Sequence, residues 1–126
     1  MRDIQFRGKR IDNGEWVFGD YSRYSKDQSI IMVDLLEQED YWVASETVGQ
    51  YTGLKDKYGV EIYEGDILEG FSVYPTKDTF QSKTLGNVYY SNRGTWDCCS
   101  FLLGDINEQM EVIGNIYNNP ELMGGR

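Results

Sequence analysis

The chain has 126 residues, 40% of them hydrophobic and 14% aromatic. That excludes intrinsic disorder and fits one compact domain or two very small ones. The 14 glycines and 10 tyrosines beside only 2 prolines indicate turn-rich β structure rather than helices. The formal charge of −9, from 21 acidic and 12 basic residues, makes a surface that repels phosphate backbones and disfavours general nucleic-acid binding.

The charge is unevenly spread. Arg2, Arg7, Lys9 and Arg10 stand against Asp3 in the first ten residues, whereas Asp34 to Glu46 carries Asp34, Glu37, Glu39, Asp40 and Glu46 with no basic residue. Ile4 and Phe6 alternate with Arg2, Gln5 and Arg7, which suggests a first strand. Asp12-Asn13-Gly14 is a positive-φ turn that leads into Trp16-Val17-Phe18, so the two strands should form a hairpin closed by Gly19-Asp20. Ser25 to Ser29 reads as a loop and Ser29 to Leu36 as an apolar strand. Tyr41-Trp42-Val43 begins another strand, with Glu37 to Asp40 before it as either a hairpin tip or one helical turn.

Thr47 to Tyr51 reads as a short strand. Leu54 to Tyr63 follows as a hairpin with its turn over Asp56 to Gly59. Glu64-Gly65-Asp66 is a tight corner into Ile67-Leu68, with Asp66 placed to accept backbone N–H groups. The Gly-Asp-Ile entry is common at the start of SH3-like barrel strands, which is an analogy. Tyr74 to Leu85 is polar and is expected to be the longest and most mobile loop. Val88-Tyr89-Tyr90, a turn over Ser91 to Gly94, Thr95-Trp96 and Cys98 to Leu103 make a meander, and Met110 to Tyr117 is the last strand region. Asn119-Pro120-Glu121-Leu122 suggests one short C-terminal helical turn, at most. Glycines 49, 53, 59, 65 and 114 (Gly49, Gly53, Gly59, Gly65 and Gly114) are expected to serve turns or close backbone approach. A Gly-Asp pair (Gly19-Asp20, Gly65-Asp66) precedes a Glu-x-Val/Ile-Gly motif (Gly49, Gly114) in each half, so duplicated β units over about 1–54 and 55–126 are an alternative to a single domain over 1–126.

Much chemistry is ruled out. Without histidine there is no imidazole metal ligation, no Ser-His-Asp or Cys-His arrangement, and no four-ligand zinc site from two cysteines. No phosphate loop or dinucleotide fingerprint occurs. Glu61, Glu64 and Asp66 could in principle supply a carboxylate pair, but acidic residues near turns more often bond to turn amides or to water. Cys98 and Cys99 are neighbours. In a strand they point to opposite faces, so they are expected to be reduced, poorly placed to bridge, and without a basic neighbour to lower their pKa. Most of Trp16, Trp42, Trp96 and the ten tyrosines are expected in the core. Tyr21, Tyr24, Tyr89 and Tyr90 are the candidates for an exposed partner-binding surface. The N-terminus runs straight into polar residues, and no apolar run approaches membrane-spanning length.

Two stretches, Thr47 to Ile67 and Glu111 to Leu122, together with Arg2-Asp3-Ile4-Gln5-Phe6-Arg7 and Glu15-Trp16-Val17-Phe18-Gly19, resemble the YopX family of phage and prophage proteins. Gly49-Gln50-Tyr51-Thr52-Gly53-Leu54 and Ile62-Tyr63-Glu64-Gly65-Asp66-Ile67 occur in the family's order; Tyr58 departs from it, since a small polar turn residue is usual there. The resemblance implies an all-β, SH3-like-barrel fold and a phage or prophage origin, and it implies no catalytic residues.

The expected function is that of a non-enzymatic phage or prophage accessory protein in the bacterial cytoplasm, without cofactor or metal. It would self-associate and bind a host or phage protein through an acidic, tyrosine-rich face. The competing reading is an SH3-like nucleic-acid-binding protein in phage regulation, using Arg2, Arg7, Lys9 and Arg10 on phosphates.

Overall fold

The computed structural model describes residues 4–34, 39–71 and 83–124. The chain divides into two compact units, Met1–Tyr51 and Thr52–Arg126.

In the first unit, β1 (Phe6–Lys9), β2 (Trp16–Arg23), β3 (Gln28–Asp34), β4 (Glu39–Ala44) and the beginning of β5 (Gly49–Lys55) pair in the order β4-β3-β2-β1-β5, each pair antiparallel. The β1–β2 hairpin closes as the sequence suggests. Gly14 takes φ +74° and donates its N–H to the Arg10 carbonyl at 3.0 Å, while Asn13 Oδ1 accepts the Glu15 N–H at 2.9 Å. The sheet then curls. Arg10, just past β1, bridges Val43 of β4, and the Ile11 N–H donates to the Trp42 carbonyl at 3.1 Å. The curl needs Gly8, because a Cβ there would come within 2.8 Å of the Val43 side chain. Ile31, Val43 and Ser29 are buried inside it, and the Ser29 and Ser45 hydroxyls share a hydrogen bond of 2.7 Å. A 3₁₀ turn, Ser45–Thr47, leads into β5. The Thr47 hydroxyl fixes it by donating to the Ala44 carbonyl at 2.6 Å and accepting the Lys9 N–H at 2.9 Å.

In the second unit, the later residues of β5 pair with β6 (Glu61–Tyr63). Next come β7 (Asp66–Phe71), β8 (Lys83–Asn87), β9 (Tyr89–Tyr90), β10 (Trp96–Cys98), β11 (Phe101–Leu102), α1 (Leu103–Ile106), a 3₁₀ turn (Asn107–Gln109), β12 (Met110–Asn115) and a last 3₁₀ turn (Pro120–Met123). They form two small sheets, β12-β7-β8 and β11-β10-β9. Ile62, Leu68, Val88, Cys98, Leu103, Ile106 and Met110 make the core of this unit.

Strands this short leave many backbone groups at corners, and buried polar side chains satisfy them. Asp56, 5% exposed, accepts the Tyr58 and Val60 N–H groups on Oδ1 (2.8 and 2.9 Å) and the Val112 N–H on Oδ2 (3.0 Å). Burial pushes its carboxyl pKa up, but the three N–H donors outweigh that and hold it below the ordinary carboxylate value. Gly65 turns the next corner at φ +93°. Its N–H donates to the Val88 carbonyl, its carbonyl accepts the Ile116 N–H (both 2.9 Å), and the Tyr117 ring packs where a Cβ would stand, 3.0 Å away. Asp66 Oδ2 accepts the Tyr63 N–H at 2.8 Å across this corner. Asn115 Oδ1 accepts the Tyr117 and Asn118 N–H groups at 3.0 and 2.9 Å.

The β class expected from the sequence is correct, but four details differ. Among the described residues the pairings stay open. A single Arg10–Val43 bridge is not a ladder, so no closed barrel forms. Helical structure is not confined to the C-terminus: Leu103 and Ile106 lie one helical turn apart, and burying both on the core makes α1 of a stretch read as strand and loop. Lys83, Thr84 and Leu85, assigned to the long loop, belong to β8, and the rest of that loop, 74–82, lies outside the described residues. The Gly-Asp pairs take unlike positions, Gly19-Asp20 within β2 and Gly65-Asp66 at a corner.

Asp56→Ala leaves three backbone donors without their acceptor and is expected to cost about 3 kcal/mol in urea unfolding. The wild-type carboxyl titrates lower folded than unfolded. Its contribution is therefore complete above about pH 4 and lost as pH falls through the folded value. The Asp56→Asn variant should lack that part of the acid dependence.

Candidate functional site

The register of the first sheet sorts its side chains onto two faces. Asp20 opposes Met32 and Met32 opposes Asp40, while Ser22 opposes Ile30 and Ile30 opposes Trp42. Residues directly opposite share a face. The alternate rows, Tyr21–Ile31–Tyr41 and Arg23–Ser29–Val43, carry the buried Ile31, Ser29 and Val43. The first set is therefore the outer face. It presents Met32 and Trp42 (46% exposed) together with Asp20 and Asp40, and Phe18, two residues before Asp20 on β2, is exposed as well. Tyr24, 71% exposed, packs edge-on against Trp42 with ring centroids 5.2 Å apart.

A cavity of about 400 Å³ opens beside this face, between Arg10–Asp12, Gln28 and Asp40–Trp42. Arg10 closes one wall. Its Nε and Nη2 donate to Asp12 Oδ1 and Oδ2 at 3.0 and 2.7 Å, and its guanidinium carbon lies 4.4 Å from the Tyr41 ring centroid. The hydrogen bond from Arg10 holds the Asp12 carboxyl below its ordinary pKa, and the same bond raises that of Arg10. Tyr41 donates its hydroxyl to Glu39 Oε2 at 2.7 Å, and that bond raises its pKa. With Arg10 bound to Asp12, the cavity offers an indole wall, the half-exposed Ile11, the Gln28 amide and the Asp40 carboxylate. Those groups suit a basic or amphipathic side chain.

The four tyrosines singled out from the sequence are split between the two units, Tyr21 and Tyr24 in the first and Tyr89 and Tyr90 in the second. Tyr24 joins the outer face. Tyr21 is half-buried in an inner-face row and packs on Phe6 at 5.3 Å. Tyr89 and Tyr90 are exposed in the second unit, where Tyr90 meets Trp96 edge-on at 4.8 Å. Trp42 is one of the aromatic residues that stand on the surface rather than in the core. Sequence reasoning missed Phe18, Met32 and Trp42 as surface residues, although the alternation of Tyr41-Trp42-Val43 holds the signal, since Tyr41 and Val43 take the inward positions. Among the basic residues, Arg7 is buried with its guanidinium 4.7 Å from the Trp16 ring centroid, Arg10 is bound to Asp12, Lys9 is half-buried, and Arg2 lies outside the described residues.

Among the turn residues, Gly53, Gly59 and Gly65 take positive φ, whereas Gly49 begins β5 and Gly114 lies at the bulge of β12 against the Asn119 side chain. Glu61 is exposed, Glu64 half-buried and Asp66 buried. Among the described residues no group of three or more His, Cys, Asp or Glu side chains could hold a metal ion. Among the same residues no helix is long and apolar enough to cross a membrane.

The cysteines correct another expectation. Cys98 ends β10, but Cys99 (φ +60°) and Ser100 (φ +70°) form the two-residue turn to β11, with Cys98 opposite Phe101. Leaving the extended conformation removes the strand alternation, and the two Sγ atoms lie 3.1 Å apart. The Cys98 thiol hydrogen-bonded to it lowers the Cys99 pKa against the opposing effect of burial, and the same bond together with burial raises that of Cys98.

A family model described as YopX protein matches residues 5–124. The crystal structure of protein EF1440 from Enterococcus faecalis is similar, with a TM-score of 0.62 and 25% identity over 98% of this chain and 99% of that one. No curated protein matches.

Two consecutive non-glycine residues at positive φ strain the Cys99–Ser100 turn. Ser100→Gly is expected to stabilise the protein by about 1 kcal/mol, measured by urea unfolding.

Proposed function

The chain belongs to the YopX family, and from that premise we propose that it is a non-enzymatic protein-binding module of phage or prophage type whose working surface is the outer face of the first unit. One observation carries this reading: Phe18, Met32, Trp42 and Tyr24 are exposed on and beside one sheet face that also carries Asp20 and Asp40. Exposed tryptophan and tyrosine supply large contact area at low entropic cost, and such residues dominate protein interfaces. With a net charge of −9, the fitting partner is a protein surface that is apolar and basic. The same apolar residues would serve self-association. The curl closed by Arg10 and Val43 supports an SH3-like relationship for this unit. The bacterial cytoplasm is the compartment this reading expects, since thiols stay reduced there. The nucleic-acid alternative is the weaker one, because Arg7 is buried and Arg10 is held by Asp12.

Sedimentation velocity on the wild type and a Phe18→Ala/Trp42→Ala double variant tests the reading. The variant is expected to keep its circular dichroism and to weaken self-association by at least about tenfold. Salt separates the two modes of binding. Raising it should strengthen contact between like-charged copies and weaken capture of a basic partner from nuclease-treated host lysate. Unchanged sedimentation together with unchanged capture in the variant would exclude the outer face as the working surface.

A further inference from the structure

We propose that Cys98 and Cys99 form a peroxide-reactive dithiol, in which Cys99 is the attacking thiol and Cys98 the resolving thiol, and that the product is a vicinal disulfide within one chain.

The geometry carries this. A pair of adjacent cysteines in an extended strand would direct their sulfurs apart, but here the left-handed conformation of Cys99 folds its side chain back until the sulfurs are 3.1 Å apart. Reaching the bond length of a disulfide takes a movement of about 1 Å. The conformation that allows it is strained. A two-residue hairpin turn with positive φ at both positions is ordinarily built from Asn-Gly, and Cys99-Ser100 lack the features that make that pair suitable. The surroundings accommodate it. Gly86 leaves room for Cys99 Sγ, which a Cβ on that residue would approach to 2.7 Å.

The two thiols also differ as an attacking and a resolving thiol must. Cys99 is partly exposed, so a small oxidant can reach it, whereas Cys98 is buried in the core of the second unit, beside Cys99 and away from solvent. The Cys98 thiol also favours the Cys99 thiolate, the nucleophilic form. None of this involves the outer face of the first unit, so it stands independently of the binding proposal.

The reaction balances with hydrogen peroxide as oxidant. The Cys99 thiolate attacks one peroxide oxygen. An S–O bond forms, the O–O bond breaks, and the departing hydroxide with the proton lost from Cys99 makes one water. The Cys98 sulfur then attacks the Cys99 sulfenic sulfur. The S–S bond forms, the S–O bond breaks, and the leaving hydroxide takes the Cys98 proton as a second water. Two thiols lose two electrons, and peroxide gains them. Neighbouring Cα atoms are closer than an ordinary disulfide prefers, so the ring is strained and readily reduced. The modification is therefore reversible.

The test uses the reduced full-length protein, treated with hydrogen peroxide, denatured, alkylated with N-ethylmaleimide without reductant and weighed intact. The expected result is loss of both alkylatable thiols, with a mass lower than that of the reduced chain by two hydrogens, in a monomer that dithiothreitol restores. Cys98→Ala should instead stop with one added oxygen on Cys99. Should that variant not fold, phenylarsine oxide on the wild type gives a second readout, with one arsenic expected to block both thiols of each chain. Two thiols still alkylatable after peroxide, disulfide-linked dimers, wild-type Cys99 ending with added oxygen beside a free Cys98, or failure of arsenic to block both thiols would overturn the proposal.

Discussion

The second unit depends on a carboxylate. Asp56 accepts N–H groups from its own turn, at Tyr58 and Val60, and from Val112 on a strand 56 residues away in sequence. Bonds on either side of it join the same two segments. The Lys57 N–H donates to the Met110 carbonyl at 3.0 Å, and Asn107 Nδ2 donates to the Lys55 carbonyl at 2.6 Å. A buried ion costs stability unless its lone pairs are satisfied, and once they are it fixes geometry strongly. The β5–β6 turn is thereby held against β12, which pairs with β7, so one side chain sets the register of elements far apart in the chain. Gly65 does the complementary work at the next corner, where absence of a side chain lets Tyr117 close over the backbone.

The first unit reaches order by another route. Its sheet curls because Val43 lies directly on the Gly8 backbone, and this brings Arg10 and Ile11 alongside β4. Curling decides which residues go to the interior. Ile31, Val43 and Ser29 fill it, leaving Phe18, Met32 and Trp42 outside. The cavity beside Trp42 follows from the same bend, since Arg10–Asp12 form one of its walls. Fold and proposed binding face are therefore two results of one constraint, the close approach at Gly8.

Turns were the most legible part of the sequence. Asn13-Gly14, Asp56 to Gly59 and Gly65-Asp66 each combine a residue suited to positive φ with a side chain that captures nearby amides, and the structure turns the chain at each. Strand existence was legible from alternation. Other features depend on tertiary placement. Trp42 looks like a core residue by type, and only the inward positions of Tyr41 and Val43 send it out. α1 is too short to show a helical period, and exists because Leu103 and Ile106 find the core. The left-handed backbone at Cys99 and Ser100 runs against residue type, so a reading from preference puts the two sulfurs on opposite sides. Of the candidate tyrosines, Tyr24 joins the face, while its main apolar members were not among those singled out.

The central claim is that the outer face of the first unit is the associating surface. Hydroxyl-radical footprinting at low and high protein concentration tests it most directly, because side-chain oxidation reports solvent access residue by residue. Oxidation of Phe18, Met32 and Trp42 is expected to fall as the protein associates, while that of Tyr89 and Tyr90 stays constant. Protection confined to Tyr89 and Tyr90, or association with Phe18, Met32 and Trp42 as open to oxidation as before, would contradict it.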